Sequence, residues 1–318
     1  MMNIIFLIIS HWLIVLTLAP LFVGVITKVK AFFAGKKGPS VFQPYFDLQR
    51  LFQKNSVYSR TTTWVFRGAP IVNLSAVLLL SLIIPLGPFR APLQFSGDIL
   101  LAVYVLSLAR FFMIIAALDT GSSFEGMGAS REAFFSCLCE VALFMNFITL
   151  SLVSHSISLS TMIGADISLS WKLVGPVLLL VAGSFFLVIL AENNRIPIDD
   201  PDTHLELTMI HEVMILDHSG VDLGFMLYAA AIKLFIFAGI LVPIIFSIHT
   251  GNPIGDMLIF LGGMLGASMA IGIVESTMAR LKLNRVKNLL LIAVAVAFFG
   301  FVVKMWKPDA LCVMHVIK

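Results

Sequence analysis

Carboxylates crowd one stretch of this chain. Residues 192–222 hold Glu192, Asp199, Asp200, Asp202, Glu206, Glu212, Asp217 and Asp222, eight of the 18 acids, against a single base, Arg195. Adjacent carboxylates raise one another's pKa and can pass protons near neutrality. The same cluster could instead dock a basic surface, and a solvated acidic loop without chemistry is the plain alternative. His204, His211 and His218 lie among the acids at a spacing of seven. No HExxH pattern accompanies them, and Ser219-Gly220 interrupts any single helix face. They read as proton-buffering or solvated histidines rather than metal ligands.

A second set of acids stands at or inside long apolar runs. These are Asp119, Glu132, Glu140, Glu192 and Glu275, together with Lys233. Charge inside lipid is costly, so each is a functional candidate by default, with a buried packing role as the alternative. Glu140 is expected to lie deepest. Eight residues at about 100° per residue leave Glu132 and Glu140 about 80° apart, on one broad helix face. Lys233 is either their counter-ion or a side chain that snorkels to an interface.

Those runs define the elements. Apolar residues make up 59% of the 318, and Asp, Glu, Lys and Arg only 12%, against roughly a quarter in soluble domains. That deficit excludes an ordinary globular enzyme, a disordered chain and a nucleic-acid partner. Spans are expected near residues 4–26, 68–88, 98–118, 132–153, 170–191, 223–247, 254–275 and 286–305. The expectation is one polytopic, all-α integral membrane domain of about eight transmembrane helices, residues 1–318. The runs are too long, and lack the alternation, for β-barrel strands. The first run reaches about Val25 without a basic segment before it, so it reads as a retained span rather than a signal peptide.

Charge orients the spans. The first loop, 27–67, carries Lys28, Lys30, Lys36, Lys37, Arg50, Lys54, Arg60 and Arg67 against Asp47 alone, and the seventh carries Arg280, Lys282, Arg285 and Lys287. Basic loops stay cytoplasmic, so loops 1, 3, 5 and 7 are assigned there, although Lys304, Lys307 and Lys318 count against it. Within loop 1, apolar Tyr45, Leu48, Leu51 and Phe52 alternate with polar residues after Pro44, as a short amphipathic helix at the membrane interface does. Cys137, Cys139 and Cys312 form no CxxC pair, which points away from an iron–sulfur cluster or a structural zinc site. Cys137 and Cys139 read as small core residues. Gly121-Ser122-Ser123 and Gly126-Met127-Gly128 follow no strand and lack a P-loop lysine, so they read as a flexible turn.

Taken together these features resemble the membrane subunit shared by respiratory complex I (its subunit 1) and group 4 [NiFe]-hydrogenases. The resemblance covers nearly the whole chain. It rests on Gly38 to Asp47, Ala109-Arg110-Phe111-Phe112, Leu118 to Phe124, Gly128 to Glu132, Glu140, Lys233 and Glu275 to Leu281. Most of these resemble the hydrogenase branch of formate hydrogenlyase subunit 4 and hydrogenase-4 component C. The acidic loop resembles the family's Asn-Arg-x-Pro-Phe-Asp signature in Asn194 to Asp199 and continues through Asp200 to Leu207. It departs at Ile198 for Phe, Asp202 for Glu and His204 for Glu, and His218 stands where an aromatic is usual.

The resemblance implies a membrane subunit that is not an enzyme alone and binds no cofactor itself. [NiFe] and iron–sulfur clusters, or quinone, would belong to the complex. Its implied partners are a hydrogenase-like large subunit, an iron–sulfur small subunit and antiporter-like membrane subunits in the inner membrane. Glu132, Glu140, Glu192, Asp199, Asp202, Glu206, Glu212, Lys233 and Glu275 are the candidate proton or ion path. Lys36, Lys37, Arg50, Arg131 and Arg195 would serve docking or charge compensation. Two other readings compete. A quinone-site subunit of complex I type would be favoured by a quinone-sized cavity between the amphipathic helix and spans one and six. A stand-alone ion transporter is permitted by buried acids, but no inverted repeat is visible.

Overall fold

Lipid offers the backbone no hydrogen-bond partner, so long apolar runs must satisfy their own peptide groups as helices. The computed structural model describes residues 2–164, 166–199, 209–246 and 252–306. Its helices are α1 (Met2–Phe33), α2 (Gln43–Phe52), α3 (Trp64–Ile83), α4 (Asp98–Asp119), α5 (Ser123–Ser154), α6 (Leu159–Met162), α7 (Asp166–Glu192), α8 (His211–Met214), α9 (Gly220–Ile245), α10 (Pro253–Thr277) and α11 (Leu283–Trp306). No strand occurs among the described residues. Eight helices are long and apolar enough to cross a membrane: α1, α3, α4, α5, α7, α9, α10 and α11.

The span count matches the sequence reading, while several ends move. Helix α1 continues to Phe33 rather than 26, because the helix-favouring Lys28 and Lys30 carry it beyond the apolar run. Helix α3 stops at Ile83, five residues before 88. Helix α5 begins at Ser123, nine residues before the expected 132, so Gly126-Met127-Gly128 is helical and not a flexible turn. Two helical glycines cost roughly 1 kcal/mol each. Packing offsets this at Gly128, where a Cβ would lie 2.4 Å from Val213 Cγ1 and 2.9 Å from the Ile210 carbonyl oxygen as the chain of α8 closes on α5; Gly126 has nothing within 4 Å of its Cβ position.

Helix α9 is the central span: 72% of its most apolar stretch is buried, against 28% for α1 and α11. It packs on α1, α3 and α7, while α11 packs on α5 and α7. Phe185, Phe235 and Phe237 fill the middle of this core. Helix α1 crosses α10 closely at Gly272, where a Cβ would sit 2.9 Å from Val29 Cβ; small residues allow such approach where lipid gives no hydrophobic drive. The amphipathic α2 has Pro44 in its first turn, buries no residue fully, and lies against α1 and α9.

Several polar candidates are structural. Thr63 caps α3 by accepting from the Val65 N–H, and Asp119 holds that cap by accepting from the Thr63 N–H (2.7 Å) and hydroxyl (2.9 Å). Asp119 therefore ties loop 1 to the end of α4. Cys139 is buried, as expected, but Cys137 is exposed and not a core residue, since two positions apart on a helix cannot share a face.

Candidate functional site

An arginine in the middle of a span gathers the buried acids. Arg110 lies in α4 with its side chain 9% exposed. Its Nη1 donates to Glu140 Oε1 at 2.5 Å, and its Nη2 donates to Glu192 Oε1 and Oε2 at 2.6 and 2.7 Å. Its Nε lies 4.0 Å from Glu132 Oε1. Ser107, one turn before Arg110, also donates to Glu140 Oε1 (2.8 Å). Glu132 and Glu140 thus share the α5 face that meets α4, as their spacing predicts. Glu140 is central along α5, yet its side chain is 31% exposed while that of Glu192 is 2% exposed. Of the three carboxylates around Arg110 the most enclosed is therefore Glu192, because it ends α7 facing inward between α4 and α9.

The end of α7 aims Glu192. Asn194 adopts the left-handed conformation (φ 49°). Its N–H donates to the Ala191 carbonyl (3.1 Å) and the Arg195 N–H to the Leu190 carbonyl (2.9 Å). This is a Schellman-type stop, with Asn tolerated at the left-handed position. Lys233 on α9 answers from the other side: its Nζ is 2.9 Å from Glu192 Oε2 and donates to the Glu192 carbonyl oxygen at 2.6 Å. Lys233 is thus a counter-ion and does not snorkel away. Two cations face three carboxylates here, so one carboxylate has no cation of its own.

A second group sits where α10 ends. Asp199, fully buried, accepts from the Ile210 and His211 N–H groups (both 3.0 Å) and from Arg280 Nη2 (2.7 Å). Glu275 is 3.4 Å from Arg195 Nη1 and 3.3 Å from Lys30 Nζ. Arg131 donates to the Met209 carbonyl (2.8 Å). Arg195 therefore points inward onto a carboxylate and Arg131 onto a backbone carbonyl, whereas Arg50 is exposed on α2. Asp202 and Glu206, with Asp200 and His204, lie outside the described residues. Burial, reinforced by Lys233, holds the His211 imidazole down to about 4, against a weaker upward pull from Asp199. His218 stacks on Phe66 at 3.8 Å, and burial brings it down to about 4 also, against the pull of Asp222.

Two cavities join these groups. A small one of about 60 Å³ is lined by Arg110, Glu132, Glu192, Asn193, Asn194, His211 and Lys233. A larger chamber of about 620 Å³ lies between α1 (Pro20, Val23), α2 (Leu48, Leu51) and α9 (Met226, Ala230), with Lys30, Arg195 and Glu212 in its wall. Asn193, Asn194, His211 and Ala230 line both. The amphipathic helix and spans one and six thus enclose a mainly apolar space that reaches the charge cluster. Among the described residues, no three His, Cys, Asp or Glu side chains converge as a metal site.

Residues 4–305 match the family described as NADH dehydrogenase. The chain belongs to the NADH dehydrogenase family. Hydrogenase-4 component C of Escherichia coli is 30% identical over 274 residues, covering 84% of this chain and 85% of that protein. Formate hydrogenlyase subunit 4 of Escherichia coli is 29% identical over 299 residues, covering 91% and 95%. A subunit of the NADH-quinone oxidoreductase of Anaplasma phagocytophilum is 29% identical over 205 residues, covering 58% and 60%. A chain from the structure of the membrane-bound sulfane sulfur reductase, an archaeal respiratory membrane complex, superposes with a TM-score of 0.80 at 21% identity, covering 95% and 98%. The fold is thus shared across the whole length.

In this family member the sequence reading missed the residue at the centre. Arg110 was visible only as part of a motif, because one arginine in an apolar run gives no sign of which acids will surround it. Its position in the middle of a span was the available signal. Glu125 was missed as well. It is 1% exposed in the first turn of α5 and accepts from the Asp217 N–H (3.3 Å), and among the described residues its Oε2 has no hydrogen-bond partner. It lay in the stretch read as a turn, which hid it.

Proposed function

We propose that this chain is the membrane-anchor and ion-coupling subunit of a multisubunit, energy-converting hydrogenase-like oxidoreductase related to complex I. It lies in the cytoplasmic membrane with loops 1, 3, 5 and 7 on the cytoplasmic side. A peripheral arm docks on those loops. Its iron–sulfur small subunit and hydrogenase-like large subunit carry any [NiFe] and iron–sulfur centres. Antiporter-like subunits extend the membrane arm. The carrying observation is the group of Arg110, Lys233, Glu132 and Glu192, with Glu140 paired to Arg110 beside them, set between spans and joined through Asn194 and His211 to the loop-side chamber. Glu132 has the weakest pairing, 4.0 Å from Arg110, so it takes up and releases the cluster's proton. Glu192 holds Arg110 and Lys233 in place, and Glu140 passes charge toward the exposed face of α5. The relatives named as subunits or components of larger enzymes support a partner-dependent role over a stand-alone transporter.

The test is Glu140→Gln. The complex should assemble with electron transfer largely retained, while ion movement into vesicles falls. Unchanged ion movement would remove the coupling role.

A second reading, the quinone-site subunit of an oxidoreductase, is favoured by the 620 Å³ chamber. Its mostly apolar wall with a few polar groups suits a ring and an isoprenoid tail. A quinone would there be a substrate that accepts electrons from the docked arm and protons through His211 and Glu212. Ala230→Trp projects an indole into the chamber and should abolish quinone reduction while sparing electron transfer to a soluble acceptor. Equal loss of both activities, or of neither, argues against this reading.

A further inference from the structure

The end of α1 forms a second, separate feature that the coupling site does not use. Helix α1 has 32 residues, about 48 Å at 1.5 Å per residue, against a hydrocarbon core of about 30 Å. Its lysine-bearing C-terminal turns therefore reach the level of lipid headgroups. There the chain folds back. The Gly35 and Lys36 N–H groups donate to the Phe32 and Ala31 carbonyls (3.1 and 2.9 Å), and Lys28 Nζ donates to the Lys37 carbonyl (2.8 Å). Gly38, with φ 62°, comes so near α1 that a Cβ would lie 2.3 Å from Ala31 Cβ. The turn is thus pinned, and it holds Lys36 and Lys37 over a groove of about 530 Å³ between α1 and α10.

The groove has two halves of different chemistry. Lys28, Lys36 and Lys37 stand at its head. Phe32 and Phe33 of α1 and Met269 and Ile273 of α10 form its wall, and Phe32 is 78% exposed. No carboxylate lines it. Glu275, the acid next to it in sequence, is bound to Lys30 and Arg195 on the side of the chamber. Among the described residues no acid pairs with Lys36 or Lys37. An apolar slot between two spans, headed by three ammonium groups at headgroup depth, complements an amphiphile with an anionic head and an acyl chain.

We propose that this groove binds one anionic phospholipid, with its phosphate on Lys36 and Lys37 and an acyl chain along Phe32, Phe33, Met269 and Ile273. The lipid fills the gap between α1 and α10 beside the loop-1 turn. Lys36 and Lys37 therefore serve the membrane rather than the docked arm.

The experiment titrates the purified, delipidated complex with phosphatidylglycerol and, separately, phosphatidylcholine, reading adducts on this chain by native mass spectrometry. Phosphatidylglycerol should bind preferentially. The double variant Lys36→Gln/Lys37→Gln should weaken it roughly thirtyfold, about 2 kcal/mol, with phosphatidylcholine unchanged. Lys36→Arg/Lys37→Arg should retain binding, as should Lys54→Gln, a loop-1 lysine outside the groove. Equal affinity for the two lipids, or no loss in the double Gln variant, overturns the proposal. So does a photoreactive phosphatidylglycerol that fails to label Met269 to Ile273 because another polypeptide covers the groove.

Discussion

Replacing Arg110 with Met keeps a long, flexible apolar stem and deletes the charge on which three carboxylates converge. Glu140 would keep only the Ser107 hydroxyl (2.8 Å), and Glu192 would keep only Lys233 (2.9 Å). Removing one partner of a buried ion pair costs about 3–5 kcal/mol, because the other charge stays buried without compensation. For a protein of this size that corresponds to a fall in melting midpoint on the order of 5–10 °C. The assay heats detergent-solubilised, fluorescently tagged protein in steps and follows the monodisperse fraction by size-exclusion chromatography. Adding Glu140→Gln to Arg110→Met removes one of the stranded charges and should restore about 1–2 kcal/mol, although Glu140→Gln alone stabilises nothing. An Arg110→Met protein as heat-resistant as the wild type would refute the reasoning. So would a double variant no more stable than Arg110→Met.

Three further outcomes follow from the same geometry. His218 titrates near 4 in the fold against an ordinary 6.5. Below about pH 6.5 the unfolded chain therefore takes up a proton that the folded chain refuses, so stability is full above that pH. It should decline by about 3 kcal/mol as pH falls toward 4. His218→Phe keeps the stack on Phe66 and should flatten that decline in melting midpoint, leaving the part that belongs to His211; an identical acid profile contradicts it. Asp199→Asn should cost about 2 kcal/mol by discharging the Arg280 pair, read in the same melting assay; an unchanged midpoint contradicts it. Gly272→Leu should cost about 1–3 kcal/mol by forcing α1 from α10, whereas Gly262→Leu, with nothing within 4 Å of its Cβ, should be neutral.

The sequence made the spans legible because hydropathy reports solvent directly: α4 was placed within one residue at each end. It misjudged the start of α5, since glycines at 126 and 128 look like a turn until Val213 and Met214 are known to press on Gly128. Intramembrane acids were legible as exceptions to an apolar background, and Glu132, Glu140, Glu192 and Lys233 do come together. What joined them was not legible. The encounter of α4, α5, α7 and α9 around Arg110 is a long-range event that no local pattern encodes. Nor could spacing show that Arg131 and Arg195 turn inward to Met209 and Glu275 rather than outward to a partner. The chamber beneath α2 could be named in advance only as a condition, and its walls come from α1, α2, α9 and the segment between α7 and α9, which lie far apart in the chain.

The central claim is that the carboxylates around Arg110 couple electron transfer to ion movement. The most direct measurement is the number of ions moved per electron pair in vesicles holding the purified complex, compared between wild type and Glu132→Gln. The account expects electron transfer to continue while the ratio collapses toward zero, because the cluster loses the one carboxylate that exchanges a proton. An unchanged ratio at an unchanged rate of electron transfer would contradict it.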